Sequence, residues 1–198
     1  MRPPRYCVPK RLEAAGWEIF WMRMSANVVC GLVLGCAAMG FAAKAMAQSS
    51  DLDKMFLMRA SESNLAEIQQ SELAVNKSSN PKLRAFAQKM ISDHEMLEDN
   101  LKIFFEQDSV TPAATLNADH QAEYAKLKGL KGTDFDNEYV RSMDMDHHMA
   151  LAAFDTVIQN TEDSELKRVA VSGRKVVEEH TKMLDKMSAK IGQPIGSL

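Results

Sequence analysis

Cysteine is scarce in this chain and missing from most of it: Cys7, Cys30 and Cys36 are the three, all near the amino terminus. Beyond them there is no means for a disulfide staple, thiol chemistry or a cysteine-ligated metal. Aromatic residues are only 7%, and long runs of Val, Ile, Thr and Tyr are rare, which disfavours strands. No glycine-rich phosphate loop and no Ser-His-Asp arrangement occurs. The formal net charge is -3, neither sign forms a long block, and no basic-aromatic patch is present, so nucleic acid is not an expected partner. No apolar run reaches the ~20 residues that a membrane span needs.

The amino-terminal segment is different in kind from the rest. Arg23 precedes an apolar stretch, Ala26 to Gly35, of about the length of a signal-peptide core. Small residues follow and end in Ala45-Met46-Ala47, an A-x-A cleavage signature. We therefore divide the chain into a targeting segment, residues 1–47, and a mature domain, residues 48–198. The lead before the apolar core is unusually long, and Met22 or Met24 is an alternative start. Left uncut, the segment would be the chain's membrane attachment; Leu34-Gly35-Cys36 offers a further alternative, a lipid anchor on Cys36. Each reading places the domain in the periplasm or cell envelope.

The mature part is rich in Ala, Leu, Met, Glu, Lys and Gln, a helical composition. Asp51 can cap a helix that runs to about Lys77, and Asn80-Pro81 is a good start for a second. The second carries Leu83, Ala87, Met90, His94, Leu97, Leu101 and Phe104 on one face. A weakly patterned connection, with a short helix around Asp119 to Lys128, leads to a third long helix near Thr133. Thr133 and Asp136 have the spacing of a capping box there, and Tyr139, Met143, His147, Ala150, Phe154 and Val157 form the inner face. Asp163 can cap the last helix, with Leu166, Val169, Gly173, Val176, His180, Met183, Met187 and Ile191 inside and Gly192 and Pro194 beyond its end. The fold class is all-α: a four-helix bundle whose long middle connection allows a ferritin-like crossover. A faint echo between residues 81–87 and 164–170 suggests a duplicated helix pair.

His94, His147 and His180 each fall on the apolar stripe of a different long helix, near its middle. Antiparallel packing brings midpoints to one level, and an error of one turn is only ~5.4 Å. The first helix offers Glu67 on its inner face, with the small Ser71 one turn on. Three imidazoles and one carboxylate suit a first-row divalent metal, and zinc, iron, manganese or copper all accept such ligands. The same groups can also satisfy one another, or water, without metal. An acid precedes each histidine, Asp93, Asp146 and Glu179; pointing ~100° away around its own helix, it can orient an imidazole of a neighbouring one. His120 and His148 read as solvent-facing, and Met90, Met143, Met145, Met149, Met183 and Met187 as packing.

Taken in order, Glu67-Ile68-x-x-Ser71-x-Leu73-Ala74, Phe86-Ala87-x-x-Met90-x-x-Asp93-His94, Phe135-Asp136-x-x-Tyr139, Met143, Asp146-His147 and His180 form a set. This set resembles the bacterial domain-of-unknown-function 4142 family over roughly Asp51 to Ile191. The resemblance implies an exported, ferritin-like bundle, with Glu67, His94, His147 and His180 as family positions, and it supplies no activity. Di-iron proteins of ferritin type carry Glu-x-x-His, whereas Ile91 and Val177 stand three before His94 and His180, which argues against an oxygen-activating di-iron centre and against iron storage. Three functions follow as expectations: an envelope protein binding metal or a small ligand, a structural or stress-related protein with a metal-free histidine network, and a mononuclear redox enzyme. As partners, the sequence leaves an envelope protein or a second copy of the chain open.

Overall fold

The structure, a computed structural model, describes residues 50–190. Residues 1–47, expected to be a targeting segment and including Cys36, lie outside the described residues, as do Ile191, Gly192 and Pro194.

Among the described residues the chain is helical throughout: α1 (Asp51–Lys77), α2 (Pro81–Gln107), the short α3 (Ala118–Gly129), α4 (Gly132–Asn160) and α5 (Ser164–Ser188). Local chemistry accounts for most of the ends. Asn80 Oδ1 accepts the N–H groups of Lys82 and Leu83 at 3.0 and 3.4 Å, and Pro81, which lacks an N–H, fills the first helical position. Asp163 does the same for Glu165 and Leu166 at 2.8 and 3.1 Å. At the end of α2, Ser109 takes the left-handed conformation (φ 54) and Val110 N–H reaches back to Phe105 O at 2.9 Å.

Two expected caps are elsewhere. Ser50, not Asp51, caps α1: its hydroxyl accepts Asp53 N–H at 3.1 Å while the Asp53 carboxylate accepts Ser50 N–H at 3.2 Å. The reciprocal pair needs a three-residue spacing, which Asp51 cannot supply for itself. Thr133 and Asp136 form no capping box. Helix α4 begins one residue earlier, at Gly132 (φ 57), and its cap position is Lys131, which makes no side-chain hydrogen bond to the helix. Thr133 is exposed inside the first turn, and Asp136 is buried.

The order of the helices follows from two apolar clusters. One joins Ala74 at the end of α1, Leu83 and Phe86 at the start of α2, Phe135 and Tyr139 at the start of α4, and Leu184 at the end of α5. The other joins Phe56 of early α1, Leu101 and Phe104 of late α2, Val157 of late α4, and Leu166 and Ala170 of early α5. Hence α1 and α5 run one way, and α2 and α4 the other. Consecutive long helices that are parallel need a connection spanning the bundle, which the segment carrying α3 provides, as in ferritin-like folds. Leu127 secures α3 in the first cluster.

The inner faces of α1 and α2 are those the spacing predicts. On α5 the buried residues are Leu166, Ala170, Gly173, Val177, His180, Thr181 and Leu184, so Val177 rather than Val176 faces inward. Met90 and Met143 are core, and Met183 and Met187 are partly buried. Met145 and Met149 are exposed, against expectation, because each stands two residues from His147, ~200° around the helix from it. Gly173 is needed where it stands: a Cβ there would come within 3.0 Å of the Phe154 ring.

Replacement of the two residues should separate the real cap from the apparent one. Asn80→Ala is expected to cost about 1 kcal/mol of stability in chemical denaturation, whereas Thr133→Ala should cost almost nothing.

Candidate metal centre

Between the two apolar clusters lies one polar layer. His94 of α2, His147 of α4 and His180 of α5 are all buried there, with ring centroids 5.4 to 5.6 Å apart. Glu67 of α1 joins them: its Oε2 is 2.9 Å from His94 Nε2 and 3.7 Å from His147 Nε2. The four residues predicted to share a level do so.

Each side chain is held from outside the layer, and the outer partner decides where the ring proton sits. Asn64 donates its amide to Glu98 at 2.8 Å, which turns its carbonyl oxygen toward His94 Nδ1 at 3.0 Å. His94 therefore carries its proton on Nδ1. Ser61 donates to the other Glu98 oxygen at 2.7 Å and fixes that carboxylate. His147 Nδ1 lies 2.9 Å from the Met143 carbonyl, which can only accept, so the proton is on Nδ1 there too. His180 Nε2 lies 2.8 Å from the Asp93 carboxylate, which also takes Lys89 at 2.7 Å. Partial burial would raise the Asp93 carboxyl, but Lys89 and His180 outweigh it and hold it below its ordinary value, so Asp93 is an acceptor. His180 then donates from Nε2.

What remains points inward: lone pairs on His94 Nε2, His147 Nε2 and His180 Nδ1, beside Glu67 Oε2. His147 Nε2 and His180 Nδ1 face each other at 3.3 Å. His94 Nε2 and Glu67 Oε2, 2.9 Å apart, have no other partner, and a proton on that nitrogen would join them as an ion pair. The second Glu67 oxygen accepts the Ser63 hydroxyl at 2.7 Å. A proton on an imidazole would relieve the crowding, yet burial opposes it. Burial, then the neighbouring imidazoles, push His180 down to about 4. Burial also lowers His147 in spite of the Glu67 carboxylate beside it. For Glu67, burial alone would raise the carboxyl, but positive charge on His94 and His147 when they are protonated, with hydrogen bonds from His94 and Ser63, holds it far below the usual range. The donor atoms of the three histidines lie within 4.8 Å of one another, a set that can hold a metal ion.

The acids that precede the histidines behave differently from one another. Asp93 reaches across to His180, as its place on the helix allows. Asp146 is buried without a hydrogen-bond partner among the described residues, and burial, then repulsion from Glu123 and Glu67, push its carboxyl up to about 7. Glu179 is exposed and makes no hydrogen bond to an imidazole, because its position on α5 turns to solvent while His180 turns in. Asp144, three residues before His147, turns outward to a surface group in which His148 Nε2 is 3.1 Å from Asp185 and 3.8 Å from Asp144.

Three participants were missed in the sequence. Asn64 stands one turn before Glu67, and Glu98 one turn after His94; that spacing was a usable signal. His120 of α3, expected to face solvent, instead lines a cavity of about 370 Å³ together with Glu67, His94, Asp146 and His147. Its Nδ1 is enclosed and has no partner. The crossover lays α3 beside α1 and α4, a placement no local pattern could have announced.

Comparison with known proteins agrees with this geometry in fold. The family described as domain of unknown function DUF4142 matches residues 38–187. The chain belongs to the DUF4142 family. This DUF4142 bundle is also similar to a solved DUF305 fragment from Deinococcus radiodurans, at 13% identity and a TM-score of 0.64, over 72% of this chain and 98% of that one. A DUF305 protein from Streptomyces coelicolor, described as secreted, matches at 14% identity and a TM-score of 0.61, over 73% and 94%. At such identities the likeness is one of fold. No curated protein matches the sequence. Among the described residues no helix is long and apolar enough to cross a membrane.

Asp146 and the imidazoles should give opposite pH signatures in metal-free protein. The Asp146 carboxyl titrates higher in the folded than in the unfolded chain, so its ionisation costs stability as pH rises toward 7. Asp146→Asn should therefore stabilise by on the order of 2 kcal/mol near pH 7.5, a gain that fades by about pH 4. His180 titrates lower when folded, so acidification from about 6.5 to 4 removes stability, and more steeply in Asp146→Asn. Melting curves at stepped pH check both.

Proposed function

We propose that this protein is an envelope metal-binding domain that holds one first-row divalent ion on His94, His147, His180 and Glu67. The observation that carries this reading is the inward convergence of three imidazole nitrogens and one carboxylate oxygen, with the other nitrogen of each ring hydrogen-bonded outward. Lone pairs brought together in a buried layer repel, and a cation bound among them would relieve that repulsion. Outer hydrogen bonds that set tautomers, here donated to Asn64, Met143 and Asp93, accompany most histidine metal sites. Three imidazoles and a carboxylate suit zinc, iron, manganese or copper, and affinity order does not choose among them. The absence of Glu-x-x-His at His94 and His180 supports a single-ion site over a carboxylate-rich di-iron one.

A metal-free histidine network is the competing reading. It requires a proton on the His94–Glu67 pair, whose atoms lie 2.9 Å apart, or one shared between His147 and His180, and the lowered proton affinity of the latter two rings weighs against the second arrangement near neutral pH. A redox enzyme built on the same ion would use the cavity that reaches the site, but no group in the layer favours that chemistry over simple binding.

The test is elemental analysis of the purified protein beside its His147→Ala variant. Near-stoichiometric metal in the parent and loss in the variant is the expected result. If neither retains metal after exposure to zinc, iron, manganese and copper salts, the reading fails. Asn64→Ala, which removes the group that orients His94, should bind roughly 10- to 100-fold more weakly in competition with a chelator.

A further inference from the structure

Structural metal ions are enclosed by their ligands, whereas reactive ones keep a position open to an incoming atom. Apolar clusters close this layer at its two ends, but one side of it meets the cavity. Glu67, His94 and His147 line that cavity, and His180 does not. Within the layer, the donor atoms that converge within 4.8 Å of one another are those of the three imidazoles. Glu67 stands beside that set, its Oε2 2.9 Å from His94 Nε2 and 3.7 Å from His147 Nε2. An ion on the three nitrogens would therefore be reached from the cavity, where a further ligand could sit beside Glu67 or take its place.

The size and lining of the cavity say what such a ligand is. Ala60 of α1 and Ala150 and Ala153 of α4 present only methyl groups to it, and a space of about 370 Å³ results. A coordinated water needs only about 30 Å³. The volume falls instead near the small end of sites that take organic ligands. Phe56 and Phe154 pack edge to face on the wall, with centroids 5.2 Å apart, and Val157 and Val177 add aliphatic surface. A charged body would lose its water against such a wall without gaining a partner. Arg59, the only lysine or arginine on the described lining, is exposed, so no buried cation awaits an anion there. An organic cation would be repelled by the ion itself. His120 Nδ1, enclosed and without a hydrogen-bond partner, offers one further polar contact on the same cavity.

We infer that the metal centre is open, and that the cavity holds against it an uncharged organic ligand: one donor nitrogen or oxygen for the ion, on an apolar body of about one ring lying against Phe56 and Phe154. The inference rests on the metal reading and adds to it the class of molecule that the site takes. It separates this centre from a purely structural ion, which would have no use for the space beside it.

The probe is 4-phenylimidazole, with imidazole and benzoate beside it, titrated into protein loaded with cobalt(II) at about pH 8, where imidazoles are mainly neutral. Cobalt retention is measured first; the visible absorption of the ion then reports any ligand that enters its coordination sphere. A saturable spectral change with 4-phenylimidazole is expected, at least tenfold tighter than with imidazole or benzoate. Ala153→Phe, which fills the cavity, should abolish that preference while still retaining cobalt, and His120→Ala should weaken the probe several-fold. Circular dichroism confirms that both variants fold. Retained cobalt with no spectral change on any probe would mean a closed site, which overturns this inference and leaves the metal reading intact. Equal binding of imidazole or benzoate, or an undiminished preference in folded Ala153→Phe, overturns it as well, since the apolar cavity then contributes nothing. Protein that retains no cobalt, and none of the other metals, fails at the metal reading itself, and the inference falls with it.

Discussion

Three buried imidazoles cannot all be left to one another, because each ring has two nitrogens and burial leaves few other partners within reach. The bundle resolves this by giving one nitrogen of every ring a partner outside the layer: Asn64 for His94, the Met143 carbonyl for His147, Asp93 for His180. Those contacts come from α1, α4 and α2, so each histidine is oriented either by its own helix or by a neighbour across the bundle. With the outer protons fixed, the inner lone pairs have nowhere to turn. Burial then lowers the proton affinity of His147 and His180 even though the outer hydrogen bonds to Met143 and Asp93 act to raise it, and Glu67 Oε2 is left without a hydrogen-bonding partner.

Such a layer is tolerable only because apolar packing brackets it. The clusters around Phe135 and Met90 on one side, and around Leu57 and Phe104 on the other, supply the burial that a row of polar groups cannot. They also keep bulk water from the imidazoles, which makes the electrostatics of the layer strong. Access is confined to the cavity between α1, α4 and the short α3. The crossover thus has two consequences: it sets α2 parallel to α4, and it carries His120 and Glu123 to the side of the site.

Helical residues were legible wherever a stripe ran long. Leu83 through Phe104 on α2 could be placed from their spacing, and so could the level shared by His94, His147, His180 and Glu67, because midpoints of antiparallel helices coincide to within a turn. Errors gathered at positions where a local pattern admits two outcomes. Thr133 and Asp136 have box spacing, but Gly132 opens the helix before Thr133 can cap it. Asp93, Asp146 and Glu179 look alike beside their histidines, yet one holds an imidazole, one is buried alone and one meets solvent. The difference lies in which helix happens to face each of them.

By itself, then, the sequence determined the all-α class, the inner stripes, the capping of α2 and α5 by Asn80 and Asp163, and which four side chains share a layer. All of these follow from helical periodicity and backbone hydrogen bonding, which act over a few residues. Only the tertiary structure decided the tautomers, the choice of Asp93 over Glu179, the isolation of Asp146 and the entry of His120 into the cavity. Those depend on pairs such as Asn64 with Glu98 and Asp93 with His180, separated by 34 and 87 residues. Contacts at that range are set by how the helices pack, and periodicity within one helix does not encode the partner it will meet.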